Sequence, residues 1–395
     1  MNPLRAHWTL DPRVVFLNHG SYGACPRAVL EAQGSMRAEL EVEPVRFFRE
    51  LGPWIDEARV DVAAFVSAQA EDVVFVRNAT SGVNAVLRSL ELKPGDELLT
   101  TDHAYGACRN AMDHVAKKAG ATVVVAEIPF PIASPGDVIE RVLARVTSRT
   151  VFALIDHITS PTGLVFPVAE LSRELDRRGV AVMVDGAHGP GQVSFAGEGG
   201  LDRLAEAGVR FYAANFHKWT CAPKGAGLLW LRRDSQAGVH PTVISHGYRA
   251  RPGRVRLHEE FDWTGTDDPT PWLCVPVALR VVGAMHEGGW DGVVEWNRAL
   301  AIEGRRTLCE ALGVSSPAPD SMIGSLGAVP VDGAFGGSAF DSDPLQTTLF
   351  DDHGIEVPVF RSPTGGRIVR VSAHLYNEVD EYRRLAEALA KLRTN

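Results

Sequence analysis

Lysine is scarce in this chain. Only six of the 40 basic residues are lysine (Lys93, Lys117, Lys118, Lys218, Lys224 and Lys391), so arginine carries the surface and each lysine stands out. Basic charge as a whole is outnumbered, 40 Lys and Arg against 49 Asp and Glu, for a formal balance of −9. That balance argues against a nucleic acid or an anionic membrane as main partner. No apolar run approaches the ~18 residues of a membrane span, and MNPLRAHWTLDPR lacks the apolar core of a secretory signal. The five cysteines, Cys25, Cys108, Cys221, Cys274 and Cys309, are scattered and never spaced C-x-x-C. Such usage excludes a disulfide framework and a structural zinc site, and reads as reduced thiols in a cytoplasm. Neither G-x-x-x-x-G-K-[ST] nor a G-x-G-x-x-G after a strand occurs, which removes the nucleotide P-loop and the dinucleotide fingerprint. H-E-x-x-H is missing too. Among 13 histidines the close set is His103, Cys108 and His114, and helical spacing puts Cys108 and His114 on different faces, so no metal is expected.

What remains is ordinary globular material: 395 residues, 45% apolar and 23% charged. That length accommodates two to three domains without a disulfide or metal staple. The first half alternates short β-branched runs with helical patterns, as a parallel sheet with crossover helices does. Candidate strands are Val73–Val76, Glu97–Thr100, Thr122–Glu127, Val151–Ile155, Ala181–Asp185, Arg210–Asn215 and Gly227–Leu231. They are apolar on both parities, as strands covered on both faces should be. From about Leu273 a long helical pattern precedes short strands (GAVPV, IVRVSA) and a final helix. The expected organisation is an N-terminal arm (1–30), a large α/β domain (31–272) and a smaller α+β domain (273–395). The arm segment FLNHGSYGACP is too polar for a strand of its own and is expected near the site.

Three features carry chemistry. Asp185 ends an apolar strand, at the carboxyl edge where open α/β sheets bind ligands. Lys218 follows 33 residues later in NFHKW, between aromatic residues where loss of hydration favours the neutral, nucleophilic amine. Lys224, in PKGAG, is its one rival. NATSGVN (Asn78–Asn84) lies between a strand and a helix, where free N–H groups and the helix dipole make a phosphate cradle. A plain N-cap by Thr80 or Ser81 is the alternative. Pyridoxal phosphate needs a lysine for its Schiff base, an acid for its ring nitrogen and a phosphate site, and the three features supply these together.

The motifs LNHGSYG, NATSGVN, TDHAYGA, VDGAHGPG, NFHKW, FDWTGTDDPTPW and VRVSAHLYN, running from Phe16 into the C-terminal part, resemble the class V aminotransferase family of fold-type I pyridoxal-phosphate enzymes. They are most similar to its isopenicillin-N-epimerase-like group. The resemblance implies a mainly parallel seven-stranded sheet sandwiched by helices, a smaller C-terminal α+β domain, and a homodimer with composite active sites. It implies pyridoxal 5'-phosphate held by Lys218 as internal aldimine, with Asp185 on the pyridinium nitrogen and His188 near the ring hydroxyl. Ala79, Thr80, Asn215 and His217 would serve the phosphate, joined across the dimer by Thr266 in its Gly265–Thr266 turn. His103 would stack on the ring and act in catalysis, with Tyr105 as the rival for that stack. Arg370 would grip the substrate α-carboxylate, with His19 and Tyr22 from the arm beside it. Arg46 is a further candidate to enter from that side.

Two departures from the pattern matter. Relatives carry asparagine where this chain reads ITSPTG, so Ser160 or Thr159 must substitute near the ring hydroxyl. A cysteine desulfurase needs a nucleophilic cysteine ~120 residues after the lysine, and GAFGGSAFDSDPLQ has none, while Cys309 lies in a helical pattern. The expected function is therefore Cα proton abstraction from an amino acid through an external aldimine, followed by β-elimination of the C–S lyase type. Epimerisation of the isopenicillin N type is the first alternative and class V transamination the second; outside enzymes, an inactive scaffold homologue is the contrast.

Overall fold

The apolar runs of the first half become one seven-stranded sheet. In the computed structural model, which describes residues 2–249, 251, 253–338 and 342–393, its strands are β1 (Val73–Val76), β2 (Glu97–Thr101), β3 (Thr122–Ala126), β4 (Thr150–Asp156), β5 (Ala181–Gly186), β6 (Val209–Asn215) and β7 (Gly227–Leu231). Their spatial order is β1-β7-β6-β5-β4-β2-β3. β7 runs antiparallel to β1 and β6, and every other pairing is parallel. β1, β2 and β7 are buried along their whole length, since helices cover both faces of the sheet. The expected strand at Val151–Ile155 runs one residue further and ends on Asp156, a polar group that an apolar pattern does not count.

Helices α1 (Arg27–Val42), α2 (Pro44–Phe65), α3 (Ala79–Arg88), α4 (Gly106–Ala119) and α5 (Val168–Asp176) belong to this part of the chain. α4 stops at Gly120 in the left-handed conformation, which a residue without Cβ adopts at no steric cost. The long helical pattern from Trp272 is broken into Thr270–Leu273 and Val275–Gly283, each restarted by a proline in its first turn. The C-terminal sheet comprises β8 (Leu326–Ala334), β9 (Val359–Arg361) and β10 (Gly366–Ser372), antiparallel in the order β9-β10-β8. Against it packs α6 (Gly289–Leu312), with α7 (Val379–Arg393) alongside α6, and Leu300, Leu308, Tyr382 and Leu385 share one core with Val329, Val369 and Val371.

The N-terminal segment does form a strand, contrary to the reading of its polarity. Val15–Phe16 pairs in parallel with Ile355–Glu356, whose open edge supplies the backbone partners. Trp8 packs on Tyr376 and His374, and the Asn2 amide donates to the carbonyls of Leu375 and Asn377. The chain then turns at Gly23 (φ 68°), where a Cβ would lie 2.0 Å from the His217 carbonyl oxygen. Glycine there is what lets the segment lie directly against the backbone carrying Lys218.

Candidate active site

β4, β5 and β6 end side by side in Asp156, Asp185–Gly186 and Asn215, and beyond them opens a cavity of about 400 Å³. Position at the carboxyl edge of a parallel sheet follows the general rule for open α/β folds. The chain after β6 supplies Lys218, the start of α3 supplies Ala79 and Thr80, and the N-terminal segment supplies Ser21 and Tyr22.

The helix after NATSGVN is capped, though by neither Thr80 nor Ser81, which lie inside its first turn. Asn78 is the cap, its side-chain oxygen accepting from the Ser81 N–H, while Ala79 and Thr80 face the cavity. The Ala79 N–H donates to Asn215 Oδ1 at 2.8 Å, and His217 and Arg77 also line this end. A helix N-terminus, two side-chain amide or imidazole donors and a guanidinium make an anion site.

Lys218 Nζ lies 3.0 Å from His188 Nε2, and the Trp219 indole N–H donates to His188 Nδ1 at 3.3 Å. A neutral imidazole accepting at Nδ1 carries its proton on Nε2, so it donates to an unprotonated lysine. Electrostatics agree: burial, then the Arg370 charge, bring Lys218 down to about 7, and burial with Lys218 pushes His188 well below the ordinary histidine range. Lys224 also lines the cavity, but its ammonium donates to the Gly23 carbonyl at 3.1 Å.

Asp185 is buried, accepting from the Ala187 N–H and from the Cys108 thiol, each at 3.1 Å. Burial raises its pKa. On the other side, Arg370 projects from β10 with 1% of its surface exposed. Its guanidinium donates to the Ser160 carbonyl and hydroxyl and to Ser21 Oγ, stacks 4.9 Å over Phe360, and leaves Nε without a partner. Burial lowers it to about 9. No carboxylate pairs with it among the described residues, and a buried cation without a counter-ion is costly unless a ligand supplies one. Ser21 and Ser160, its two hydroxyl partners, line the cavity.

The structure separates several expected residues from this cavity. His103 is fully buried, with Nδ1 on Thr162 Oγ1 at 2.7 Å, Nε2 on the Ile128 carbonyl at 3.1 Å, and Phe130 and Phe166 around its ring. The turn between β2 and α4 rotates it into the core and turns Tyr105, two residues on, into the cavity. His103, expected to stack on the ring, is thus away from the cavity, and its rival Tyr105 lines it. His19 is likewise buried behind the site, between the Tyr376 hydroxyl at 2.8 Å and the Lys218 carbonyl at 3.0 Å. Its neighbour Tyr22 does line the cavity and is 75% exposed. Thr266 is exposed and does not line the cavity of its own chain, although the next residue, Asp267, pairs with Arg77. Ser160 faces the cavity while Thr159 bonds Thr162 and the Leu164 N–H. Arg46 is exposed on α2, away from the site. Within GAFGGSAFDSDPLQ, residues 339–341 lie outside the described residues.

Asp156 and Arg77 were missed by sequence reading. Asp156 ends β4 and Arg77 directly follows β1, and the strand-end rule that singled out Asp185 applies equally to them. Also unforeseen is the gathering of His19, Cys221 and His374 within 4.8 Å. Their imidazoles stack at 4.3 Å, which sets the in-plane nitrogen lone pairs side by side rather than converging on an ion.

The donors fit pyridoxal phosphate: an anion site at the start of α3, a buried acid at a strand end, and an unprotonated lysine between them. Comparison with known proteins agrees. A family profile described as aminotransferase class-V matches residues 25–266. Isopenicillin N epimerase of Amycolatopsis lactamdurans is 34% identical over 98% of this chain and 97% of its own length. A probable chloroplastic L-cysteine desulfhydrase of Arabidopsis thaliana is 33% identical over 96% of this chain and 83% of its own. Among solved structures, the cystine C–S lyase C-DES in complex with cysteine persulfide superposes with a TM-score of 0.77 at 21% identity, covering 99% of each chain. A cysteine desulfurase from Thermococcus onnurineus NA1 gives 0.80 at 19% identity, over 99% of this chain and 98% of that one.

Proposed function

The chain belongs to the aminotransferase class-V family of fold-type I pyridoxal-phosphate enzymes, and from that premise we propose that it is a C–S lyase acting on an amino acid with a sulfur leaving group at Cβ. When bound, pyridoxal phosphate supplies a carbonyl carbon for amines and a cationic ring that draws electrons from Cα. Lys218 holds it covalently and then, as a free amine, takes the Cα proton. His188, neutral and donating to that amine, keeps it in place. Asp185 holds the ring charge; the α3 N-terminus with Thr80, Asn215 and His217 holds the phosphate. Arg370 receives the substrate carboxylate through a charge-assisted contact, and Tyr105 is the ring's stacking partner.

The observation that carries the lyase reading is which proton carriers face the cavity besides Lys218 and its partner. His19, one of three candidates for a second acid–base group, is outside it, which leaves the phenols Tyr22 and Tyr105 beside Lys224, tied to the Gly23 carbonyl, and His217, held on the Ala226 carbonyl. Burial pushes the Tyr105 ionisation up, so it donates a proton and does not take one near neutrality. Donation alone suffices for elimination: the Cα proton goes to Lys218, the Cβ–S bond breaks, and the sulfur leaves with the bonding pair and is protonated. Hydrolysis of the released enamine then yields pyruvate and ammonia. A reversible epimerase needs a base on each face, which favours the lyase. Epimerisation remains the second reading, supported by the 34% identical epimerase relative. Persulfide formation on the protein is disfavoured because all five cysteines are buried and none lines the cavity among the described residues.

Incubation with a panel of L-amino acids and cysteine conjugates in heavy water, read by mass spectrometry, is the test. Pyruvate, ammonia and thiol in equal amounts support the lyase. A deuterated product of inverted configuration without keto acid makes the enzyme an epimerase, and amino transfer to an added keto acid defeats both. The exposed Thr266 turn and exposed Tyr22, Ile244 and Tyr248 support a two-fold dimer in which Thr266 reaches the partner's phosphate site. A fully active monomer in analytical ultracentrifugation would remove that part of the proposal.

A further inference from the structure

Asp156 has no role in the chemistry above, yet it lines the same cavity. It is 3% exposed, as is Asp185, and the two are direct register partners at the ends of β4 and β5. Register partners in a parallel sheet project to the same face, so two carboxyl groups stand next to each other in a site shielded from water. Neither forms an ion pair among the described residues. The groups facing them are the Cys108 thiol and the Tyr105 backbone N–H from the α4 turn, the Ala187 N–H after β5, and Lys218 beyond; the Tyr212 hydroxyl of β6 projects to the opposite face, onto His157.

We propose that Asp156 is a positioning residue that holds one proton between itself and Asp185, so that the pair presents a single negative charge to the cofactor ring. Two adjacent buried carboxylates cannot both ionise near neutrality, and one must keep its proton. Asp156 keeps it. Both are raised by burial, but Asp156 stands well above the ordinary range and carries the Asp185 charge as its second cause. Asp156 also accepts backbone N–H groups, its own and that of Tyr105, but Asp185 accepts the Ala187 N–H and the Cys108 thiol and lies in addition within the field of Lys218. The Asp156 hydroxyl is then a third donor to Asp185 and fixes its free lone pair toward the ring. One cationic ring meets one anion, with no surplus charge left in the cavity. This rests on the assignment of Asp185 to the ring nitrogen.

Infrared difference spectra of the holoenzyme at pH 7.5, with 13C-labelled aspartate, read the proton directly. A protonated carboxyl band is expected in the parent, lost in Asp156→Asn and kept in Asp185→Asn. Because the amide replaces the hydroxyl as donor, Asp156→Asn should hold the cofactor within about threefold of the parent. Asp156→Leu, which removes a bond to a charged group, should weaken it about tenfold or more. No protonated band in the parent, a band surviving in Asp156→Asn, or equal loss of affinity in the Asn and Leu variants would overturn the proposal. Normal cofactor affinity in Asp185→Asn would instead remove Asp185 from the ring, a result the band itself does not depend on.

Discussion

Lys218 and Lys224 both reach the cavity, and what separates them is their neighbours. Lys218 faces a neutral imidazole and shares its surroundings with Arg370 and Asp185, whereas Lys224 is tied to the Gly23 carbonyl. Borohydride trapping and peptide mapping should label Lys218, and Lys218→Ala should lose turnover while keeping phosphate affinity; a label on Lys224 contradicts this. Removing Asp185 as alanine should cost ~10² or more in rate, since an unprotonated ring is a poorer electron sink. For Arg370 the expected loss is in kcat/KM: a charge-assisted contact is worth ~1.5–3 kcal/mol, so Arg370→Ala should lose ~10–100-fold. Arg370→Lys keeps the charge but loses the forked geometry, and steady-state kinetics should place it between parent and alanine.

At the scale of elements, α3 is where local sequence and ligand site coincide. Its cap is Asn78, which takes the Ser81 N–H while Asn215 takes that of Ala79, and Ala79 and Thr80 line the cavity. Asn78→Ala should lower stability by ~1 kcal/mol in denaturant unfolding. The same change should weaken inorganic phosphate and cofactor alike, because a frayed first turn no longer aims its N–H groups; unchanged phosphate affinity would show that the turn is held by tertiary contacts alone. The β2–α4 turn teaches the complementary lesson. His103 and Tyr105 are near neighbours in sequence, and His103 is the one held inward, by the Thr162 hydroxyl, the Ile128 carbonyl and the rings of Phe130 and Phe166.

Across the whole molecule, buried imidazoles set the response to acid. Burial lowers His157 and His374 from 6.5 to about 4. Between those values the unfolded chain binds protons that the folded chain does not, so stability present above pH 6.5 is lost as pH falls toward 4. Each imidazole contributes up to tenfold per pH unit in the unfolding equilibrium. Asp156, whose pKa is raised, acts in the opposite sense over part of this range. Denaturant midpoints between pH 7 and 4.5 should fall with acid, and His157→Asn should flatten that fall by about one proton if it folds with its Tyr212 bond replaced.

Much of this protein was legible as pattern. Strands apolar on both parities, spaced by amphipathic helices, determine a covered parallel sheet, because hydrophobic period is a local property of the chain. Asp185, Lys218 and the NATSGVN junction were identifiable for the same reason: each sits at the end of an apolar run, where the sheet edge must be. Tertiary structure decided what depends on neighbours far along the chain. It paired Val15–Phe16 with Ile355–Glu356, turned His103 inward and Tyr105 outward, and set Arg370 against Ser21 and Ser160. It also set Asp156 beside Asp185, since strand register belongs to the sheet and not to either strand alone.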